Sequence, residues 1–183
     1  MLLGIDEAGR GCIAGPLCVA GAILHTSVKD LTDSKKLSEK KREELFPLIQ
    51  QNSTYHIVFK SADEVDKKGI SVCMKESLQE ILQTLKYDEV IFDGNTTFGV
   101  SGLQTMIKAD LKVPEVSAAS ILAKVSRDRY MREISKKYPQ YGFEKHKGYC
   151  TKAHREVLAE FGLCKEHRKS FKIKSLEQGS LFE

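Results

Sequence analysis

Hydrophobic and polar positions alternate along the chain in blocks that predict both strands and helices. Short apolar runs predict strands at 2–5, 16–24, 55–59 and 88–95. Apolar residues repeat at helical spacing over 70–85 and 117–138, and these two stretches predict amphipathic helices. Shorter helices are predicted over 39–50, where Pro47 should kink or shorten the helix, and over 151–162. The pattern therefore predicts a sheet with helices packed on it.

Acidic residues close three apolar runs of this pattern. Asp6 and Glu7 follow the first strand, Asp93 ends the fourth, and Asp110 closes a further apolar run at 106–110. An unpaired carboxylate is costly to bury, so acids at strand ends favour a bound cation. Taken singly, each acid could instead be a solvated or turn-forming residue. The repetition favours a metal site, because two such strands in one sheet can bring Asp93 beside Asp6.

The adjacent positions of Asp6 and Glu7 argue against a shared metal site. Neighbouring residues of a strand face opposite sides of the sheet, so the two carboxylates should diverge. The objection weakens if the strand frays at Glu7, whose longer side chain could then bend back toward Asp6.

Glycines, hydroxyls and lysines close to these acids suit a nucleic-acid ligand. The Gly-Arg-Gly turn at residues 9–11 lets backbone N–H groups approach a ligand closely. The polar loop at 31–37 places Ser34 and Lys35 just before a helix that Ser38 could cap. Hydroxyls, N–H groups and lysines at a helix start suit a phosphate.

Two further segments have the composition of a nucleic-acid surface. One face of the 117–138 helix carries hydroxyls and cations that could hold phosphates beside the acids, namely Ser117, Ser120, Lys124 and Arg127. The loop at 141–149 mixes aromatic residues, glycines and lysines, which suits stacking on sugars or bases.

The composition is that of one soluble globular domain. The chain has 183 residues, 41% of them hydrophobic and 30% charged, which is enough to bury a full core. No apolar stretch approaches the roughly 18 residues that span a bilayer, and no basic segment precedes the first apolar run. The five cysteines are odd in number and form no CxxC pair, which argues against a disulfide framework. We expect a cytoplasmic protein with no membrane contact.

A zinc site was considered for the C-terminal third of the chain. Cys150 and His154 are followed by Cys164 and His167, but this spacing fits no common zinc-finger pattern. Zinc is therefore not predicted.

The net charge of +4 conceals an asymmetry along the chain. Residues 1–123 carry a balance of −3, residues 124–174 a balance of +9, and the last nine residues −2. This distribution favours a polyanion held by the basic part and a cation-dependent site in the acidic part. The alternative is that the lysines only solvate exposed helices.

Seven sequence blocks, in order over residues 3–171, resemble ribonuclease HII, the type 2 ribonuclease H family. They are DEAGRG at 6–11, DSKKLS at 33–38, DG at 93–94, IKAD ending at 110, SAASILAKVSRDR at 117–129, GFEKHKGY at 142–149 and HRKSF at 167–171. The chain departs from the family pattern at Ala109, where glycine is expected before the last acid.

The resemblance implies a fold and a site. The fold would be α/β and RNase H-like, a mixed sheet of about five strands flanked by helices, in one domain over 1–174 with a helical C-terminal segment from about 139 and a polar tail at 175–183. The catalytic carboxylates would be Asp6, Glu7, Asp93 and Asp110, holding two Mg²⁺ or Mn²⁺ ions. The nucleic-acid contacts would be Gly9, Arg10 and Gly11 at the ribonucleotide and Tyr149 at the sugar. From their own chemistry and position we assign five further residues to phosphates, namely Ser34, Lys35, Lys124, Arg127 and Lys147.

The implied activity is hydrolysis of the RNA strand of RNA–DNA hybrids. It would include nicking on the 5′ side of single ribonucleotides in duplex DNA, as in ribonucleotide excision repair, leaving 3′-hydroxyl and 5′-phosphate ends. We expect a monomer. The alternatives are a ribonuclease HIII-like enzyme and a non-catalytic nucleic-acid-binding module.

The C-terminal tail suggests a protein partner. Gln178, Leu181 and Phe182 resemble the short peptide by which bacterial replication proteins bind the sliding clamp. A terminal Leu-Phe could instead fold onto the protein's own surface.

Overall fold

A computed structural model describes residues 1–31 and 37–171. Within them, five strands form one mixed sheet in the order β3-β2-β1-β4-β5. The strands are β1 (Leu2–Ala8), β2 (Leu17–Leu24), β3 (Ser53–Lys60), β4 (Glu89–Asp93) and β5 (Gln104–Met106). Strand β2 pairs antiparallel with β1 and β3, whereas β4 pairs parallel with β1 and β5. The predicted mixed sheet is confirmed.

Helices flank this sheet. In the described part of the chain they are α1 (Glu39–Gln51), α2 (Ala62–Lys68), α3 (Ile70–Thr84), α4 (Pro114–Lys137), α5 (Phe143–His146) and α6 (Lys152–Phe161). Two short 3-10 helices lie at Ala109–Leu111 and Pro139–Tyr141. Over 1–31 and 37–171, no helix has both the length and the apolarity to cross a bilayer.

Local sequence signals explain most helix ends. Ser38 caps α1 as predicted, because its hydroxyl accepts a hydrogen bond from the backbone N–H of Lys41 at 3.1 Å. Helix α1 continues through Pro47 to Gln51, so the proline does not shorten it. The apolar pattern missed α2, whose start is a capping box between Ser61 and Glu64.

The two faces of the sheet bury separate cores. Leu3 and Ile5 of β1 point to the face covered by α3, where they pack with Leu78 and similar residues. Ala20 and Ala22 of β2 point to the opposite face, which is covered by α1 and α4. This alternation along each strand is the two-residue period of a sheet buried on both sides.

Gly4 lets helix α4 lie directly against β1. A Cβ atom on Gly4 would overlap the backbone of Glu115 and Val116, at the start of α4. The helix also presents small residues to the sheet, including Ala118 and Ala119. This close approach matters for the site, because Asp6 lies two residues beyond Gly4 and faces the same helix.

The C-terminal segment packs around the far half of α4. Tyr141, Phe143 and Leu158 form a third buried cluster with Met131 of α4. Ala14, in the chain segment after β1, forms an isolated β-bridge with His167. The basic C-terminal part is therefore attached next to the segment that follows the first acids.

Candidate active site

Three carboxylates from separate parts of the chain meet at one end of the sheet. Strands β1 and β4 are parallel neighbours with Ile5 opposite Phe92, so Asp6 and Asp93 follow at the same edge. Asp110 arrives from the 3-10 helix Ala109–Leu111. One carboxylate oxygen from each aspartate lies within 4.8 Å of the other two. This separation allows the three side chains to share a divalent ion.

The route by which Asp110 reaches this group differs from the prediction. The run at 106–110 is not a strand ending in an acid, because β5 ends at Met106. Lys108 takes the left-handed conformation with φ 57°, which turns the chain into the 3-10 helix. The N–H of Ala109 then donates to Asp93 Oδ1 at 2.9 Å. Since the positive φ falls on Lys108, alanine at position 109 is accommodated without strain.

Strand β1 does not fray at Glu7, since it stays paired with β2 through Ala8. Glu7 nevertheless lines the same pocket as Asp6. Its Oε1 lies 3.2 Å from Nη1 of Arg10. Its Oε2 is buried and has no hydrogen-bond partner among the described residues. Glu7 thus lies beside the three aspartates and offers an oxygen that a cation would satisfy.

Burial and mutual repulsion oppose ionisation of these acids. The pKa of Asp6 is raised well above its usual range, mainly by burial and then by the neighbouring charges of Glu7 and Asp93. Hydrogen bonds from the Ser120 hydroxyl and the Glu7 N–H oppose this shift. Burial also raises the pKa of Glu7, while Arg10 acts against it. A bound cation would relieve the repulsion, and an all-carboxylate oxygen donor set fits Mg²⁺ or Mn²⁺.

Asp6, Glu7 and Asp93 open into a pocket of about 450 Å³. Its lining consists of Asp6, Glu7, Ala8, Gly9, Arg10, Asp93, Gly94, Asn95, Ile107, Lys108, Ser120, Lys124 and Tyr149. Sequence reasoning missed Ile107, which is 65% exposed, because it assigned the 106–110 run to a strand. Its exposure follows from the left-handed turn at Lys108, which no signal in the hydrophobic pattern reveals.

The predicted sugar-reading residues lie at two borders of this pocket. Gly9 and Arg10 form one border, and Tyr149, 44% exposed, forms another. Gly9 has φ +86°, and a Cβ atom there would overlap the guanidinium group of Arg127. Burial raises the pKa of Tyr149, whose hydroxyl shares a hydrogen bond with the Cys12 thiol.

Arg127 is placed differently from the prediction that it contacts a phosphate. Its side chain is only 1% exposed, because it extends from α4 into the protein beneath residues 9–16. Its nitrogens donate to the carbonyl oxygens of Pro16, Lys147 and Ala14 at 2.8–2.9 Å. A guanidinium buried in this way is not available to a bound strand, and we correct the assignment.

The other predicted phosphate contacts also differ in access. Lys124 lines the pocket, with Nζ 3.4 Å from Oδ2 of Asp128. Lys147 does not line it, and its ammonium donates to the carbonyl oxygen of Glu144 at 2.6 Å and lies 3.5 Å from Oε1 of Glu39. The remaining predicted contacts lie outside the described residues; they are Ser34, Lys35, Gln178, Leu181 and Phe182.

Comparison with known proteins gives concordant matches over nearly the whole chain. The family model for ribonuclease HII matches residues 3–174. Ribonuclease HII of Sulfurovum sp. (strain NBC37-1) is 56% identical over 181 residues, covering 99% of this chain and 96% of the relative. Ribonuclease HII of Aliarcobacter butzleri (strain RM4018) is 58% identical over 182 residues, covering 98% and 95%.

A solved structure extends the similarity to the fold. Ribonuclease HII of Archaeoglobus fulgidus, determined in complex with PCNA, superimposes with a TM-score of 0.81 at 33% identity, covering 95% of this chain and 96% of that one. The mixed sheet with its flanking helices is therefore the RNase H-like fold.

Proposed function

The chain belongs to the ribonuclease HII family, and from this we propose that it nicks duplex DNA on the 5′ side of single embedded ribonucleotides. Family membership makes it a metal-dependent endoribonuclease that degrades the RNA of RNA–DNA hybrids. The proposal adds the finer substrate, the products and the residues. The nick would leave 3′-hydroxyl and 5′-phosphate ends.

The convergence of Asp6, Asp93 and Asp110 within 4.8 Å is the observation that carries this proposal. These aspartates and Glu7 would hold two Mg²⁺ or Mn²⁺ ions. When bound, such ions supply an activated water and relieve charge at the scissile phosphate. The carboxylates would hold the ions at this end of the sheet, and Ser120 orients Asp6 through its hydrogen bond. A side-chain nucleophile is not required.

The protein's own contribution to specificity would be the test for a 2′-hydroxyl. The turn at residues 9–11 offers backbone groups that can approach a sugar closely. Tyr149 would pack on the sugar at the scissile junction from the other border of the pocket. Lys124, which also lines the pocket, would attract a neighbouring phosphate.

A nicking assay tests the proposal directly. The substrate is a labelled duplex with one ribonucleotide, and the control is the same duplex made only of DNA, each incubated with Mg²⁺ or Mn²⁺. We expect a single nick 5′ of the ribonucleotide, no cleavage of the control, and at least about 10³-fold slower nicking by Asp93→Asn. An intact ribonucleotide duplex would refute the proposal, even if a long hybrid were degraded.

We also propose that the tail binds a sliding clamp through Gln178, Leu181 and Phe182. The support is the sequence pattern and the Archaeoglobus fulgidus relative, which was solved in complex with PCNA. Replacing Leu181 and Phe182 by alanine should abolish binding to a bacterial clamp in a calorimetric titration, whereas Ser180→Ala should not. Equal affinity of the double variant and the wild type would exclude this role.

A further inference from the structure

We propose that Arg127 is a positioning residue for ribonucleotide recognition, because its buried guanidinium fixes the residue 9–11 turn and Tyr149 relative to each other. The inference rests on the proposed function and deepens it. It assigns to Arg127 a structural link between the two borders of the pocket, in place of contact with the nucleic acid.

On the side of the turn, Arg127 holds the chain segment that leads away from it. Its Nε donates to the carbonyl oxygen of Pro16 at 2.9 Å, and its Nη2 donates to that of Ala14 at 2.9 Å. The Nε and Cδ atoms also fill the space that a side chain on Gly9 would need. The turn therefore rests on the guanidinium group directly.

On the side of Tyr149, the same side chain holds the end of the neighbouring loop. Its Nη1 donates to the carbonyl oxygen of Lys147 at 2.8 Å. The guanidinium carbon lies 5.9 Å from the centroid of the Tyr149 ring. The carbonyl of Gly148 accepts hydrogen bonds from Ile13 and Ala14, at 3.0 and 3.3 Å, which joins this loop to the segment after the turn.

A second buried arginine also supports the turn. Arg168 is 1% exposed, and its Nη1 and Nε donate to the carbonyl oxygens of Arg10 and Gly15 at 3.1 and 3.0 Å. Within the part of the chain that the structure describes, its side chain makes no hydrogen bond to the loop of Tyr149. This difference gives the two arginines distinguishable roles.

The planar guanidinium explains why arginine is needed at position 127. It donates in three directions at once, to three carbonyl oxygens from two chain segments. A lysine ammonium has the same charge but cannot reproduce this fixed geometry. The substitution Arg127→Lys therefore changes the spacing while keeping the charge.

The experiment compares Arg127→Lys with Arg129→Lys, a control on the same helix whose guanidinium pairs with Glu43 at the surface. We expect Arg127→Lys to lower kcat on a single-ribonucleotide duplex by about 10²-fold, because a misplacement of the order of 1 Å has effects of this size. Mn²⁺ affinity, measured by calorimetry, should stay within about twofold, and Arg129→Lys should behave as wild type. Unchanged kcat in Arg127→Lys, or a loss of Mn²⁺ affinity equal to the loss of kcat, would overturn the inference.

A double-variant cycle with Tyr149→Ala separates positioning from general stability. If Arg127 acts through Tyr149, the loss caused by Arg127→Lys should fall below about tenfold in the Tyr149→Ala background. If the fold loss of kcat in the double variant equals the product of the fold losses in the two single variants, the inference is wrong.

If Arg127→Lys does not fold, Arg168→Lys provides a second test of how the buried arginines position the pocket. Arg168→Lys should slow nicking of the same substrate. Its fold loss of kcat should be the same in the wild-type and the Tyr149→Ala background, because the Arg168 side chain makes no described hydrogen bond to the loop of Tyr149. A loss that vanishes in the Tyr149→Ala background would contradict the separate roles. A wild-type protein that cuts hybrids but not the single-ribonucleotide duplex would instead reject the proposed function.

Discussion

At the residue scale, the buried acids create a conflict between stability and function. Asp6 is ionised at neutral pH only against burial and the repulsion of Glu7 and Asp93, so its pKa is raised. A group whose pKa is higher in the folded than in the unfolded protein costs stability as the pH rises above its unfolded value. The charge of Asp6 therefore destabilises the folded protein when no metal is bound.

The substitution Asp6→Asn should expose this conflict. We expect the variant to lose nicking almost completely, yet to melt at a higher temperature than the wild type at pH 7 without divalent ions. Added Mg²⁺ should raise the melting temperature of the wild type and not that of the variant. Calorimetric scans with and without Mg²⁺ measure both effects. Asp63→Asn, on the exposed surface of α2, is the control and should not raise the melting temperature.

Two glycines of the same turn should respond differently to alanine. Gly9 has φ +86° and no space for a Cβ atom, whereas Gly11 has open space around that position. Gly9→Ala should therefore lower the free energy of unfolding by about 1–3 kcal/mol, while Gly11→Ala should change it little. Urea denaturation measures the difference. Equal destabilisation by both would contradict the packing of Arg127 beneath Gly9.

At the element scale, helix α4 contributes Ser120 and Lys124 to the pocket. Lys124 lines the pocket beside Asp6, whereas Lys147, from the loop after α5, is turned toward Glu39 and away from it. Lys124→Ala should reduce the salt dependence of hybrid binding by about one counterion, and Lys147→Ala by less. Binding titrations over a range of KCl concentrations measure the two slopes. A larger effect at Lys147 would show that the loop rearranges on binding.

Element-level patterns predicted some parts of this site and not others. The strand ends at Asp6 and Asp93 were predictable, because apolar runs ending in acids reveal a shared sheet edge. The placement of Asp110 was not, because a left-handed residue at Lys108 leaves no trace in a hydrophobic pattern. Arg127 was misassigned because helical spacing shows which residues share a face but not what covers it.

At the scale of the whole molecule, the C-terminal segment supports the pocket border at Tyr149 through buried neutral histidines. Cys164 N–H donates to His167 Nδ1, so the His167 proton lies on Nε2 and is shared with His154 Nε2 at 3.0 Å. His154 then donates from Nδ1 to the carbonyl oxygen of Tyr149 at 2.9 Å. This chain of hydrogen bonds needs both rings neutral. Burial accordingly lowers the pKa of each to about 4.

The histidine chain predicts a specific form of acid sensitivity. The unfolded rings titrate near 6.5 and the folded rings near 4, so their stabilising contribution is complete above 6.5 and is lost as the pH falls toward 4. Asp6 and Glu7 act in the opposite direction, because their pKa values are raised. The contribution of the histidines to the pH dependence of stability can therefore be measured only by comparing a histidine variant with the wild type.

His154→Leu provides that comparison. It should destabilise the protein at pH 7 by about 1–2 kcal/mol, because hydrogen bonds are lost. The difference in stability between wild type and variant should become smaller as the pH falls to 5, because the variant has one fewer histidine that takes up a proton on unfolding. His56→Gln, at the surface beside Glu80, is the control variant. Melting temperatures between pH 7 and 5 measure both variants. If the difference in melting temperature between wild type and His154→Leu stays constant over this range, the buried imidazoles accept no proton on unfolding. The proposed pair of neutral histidines that supports Tyr149 would then be wrong.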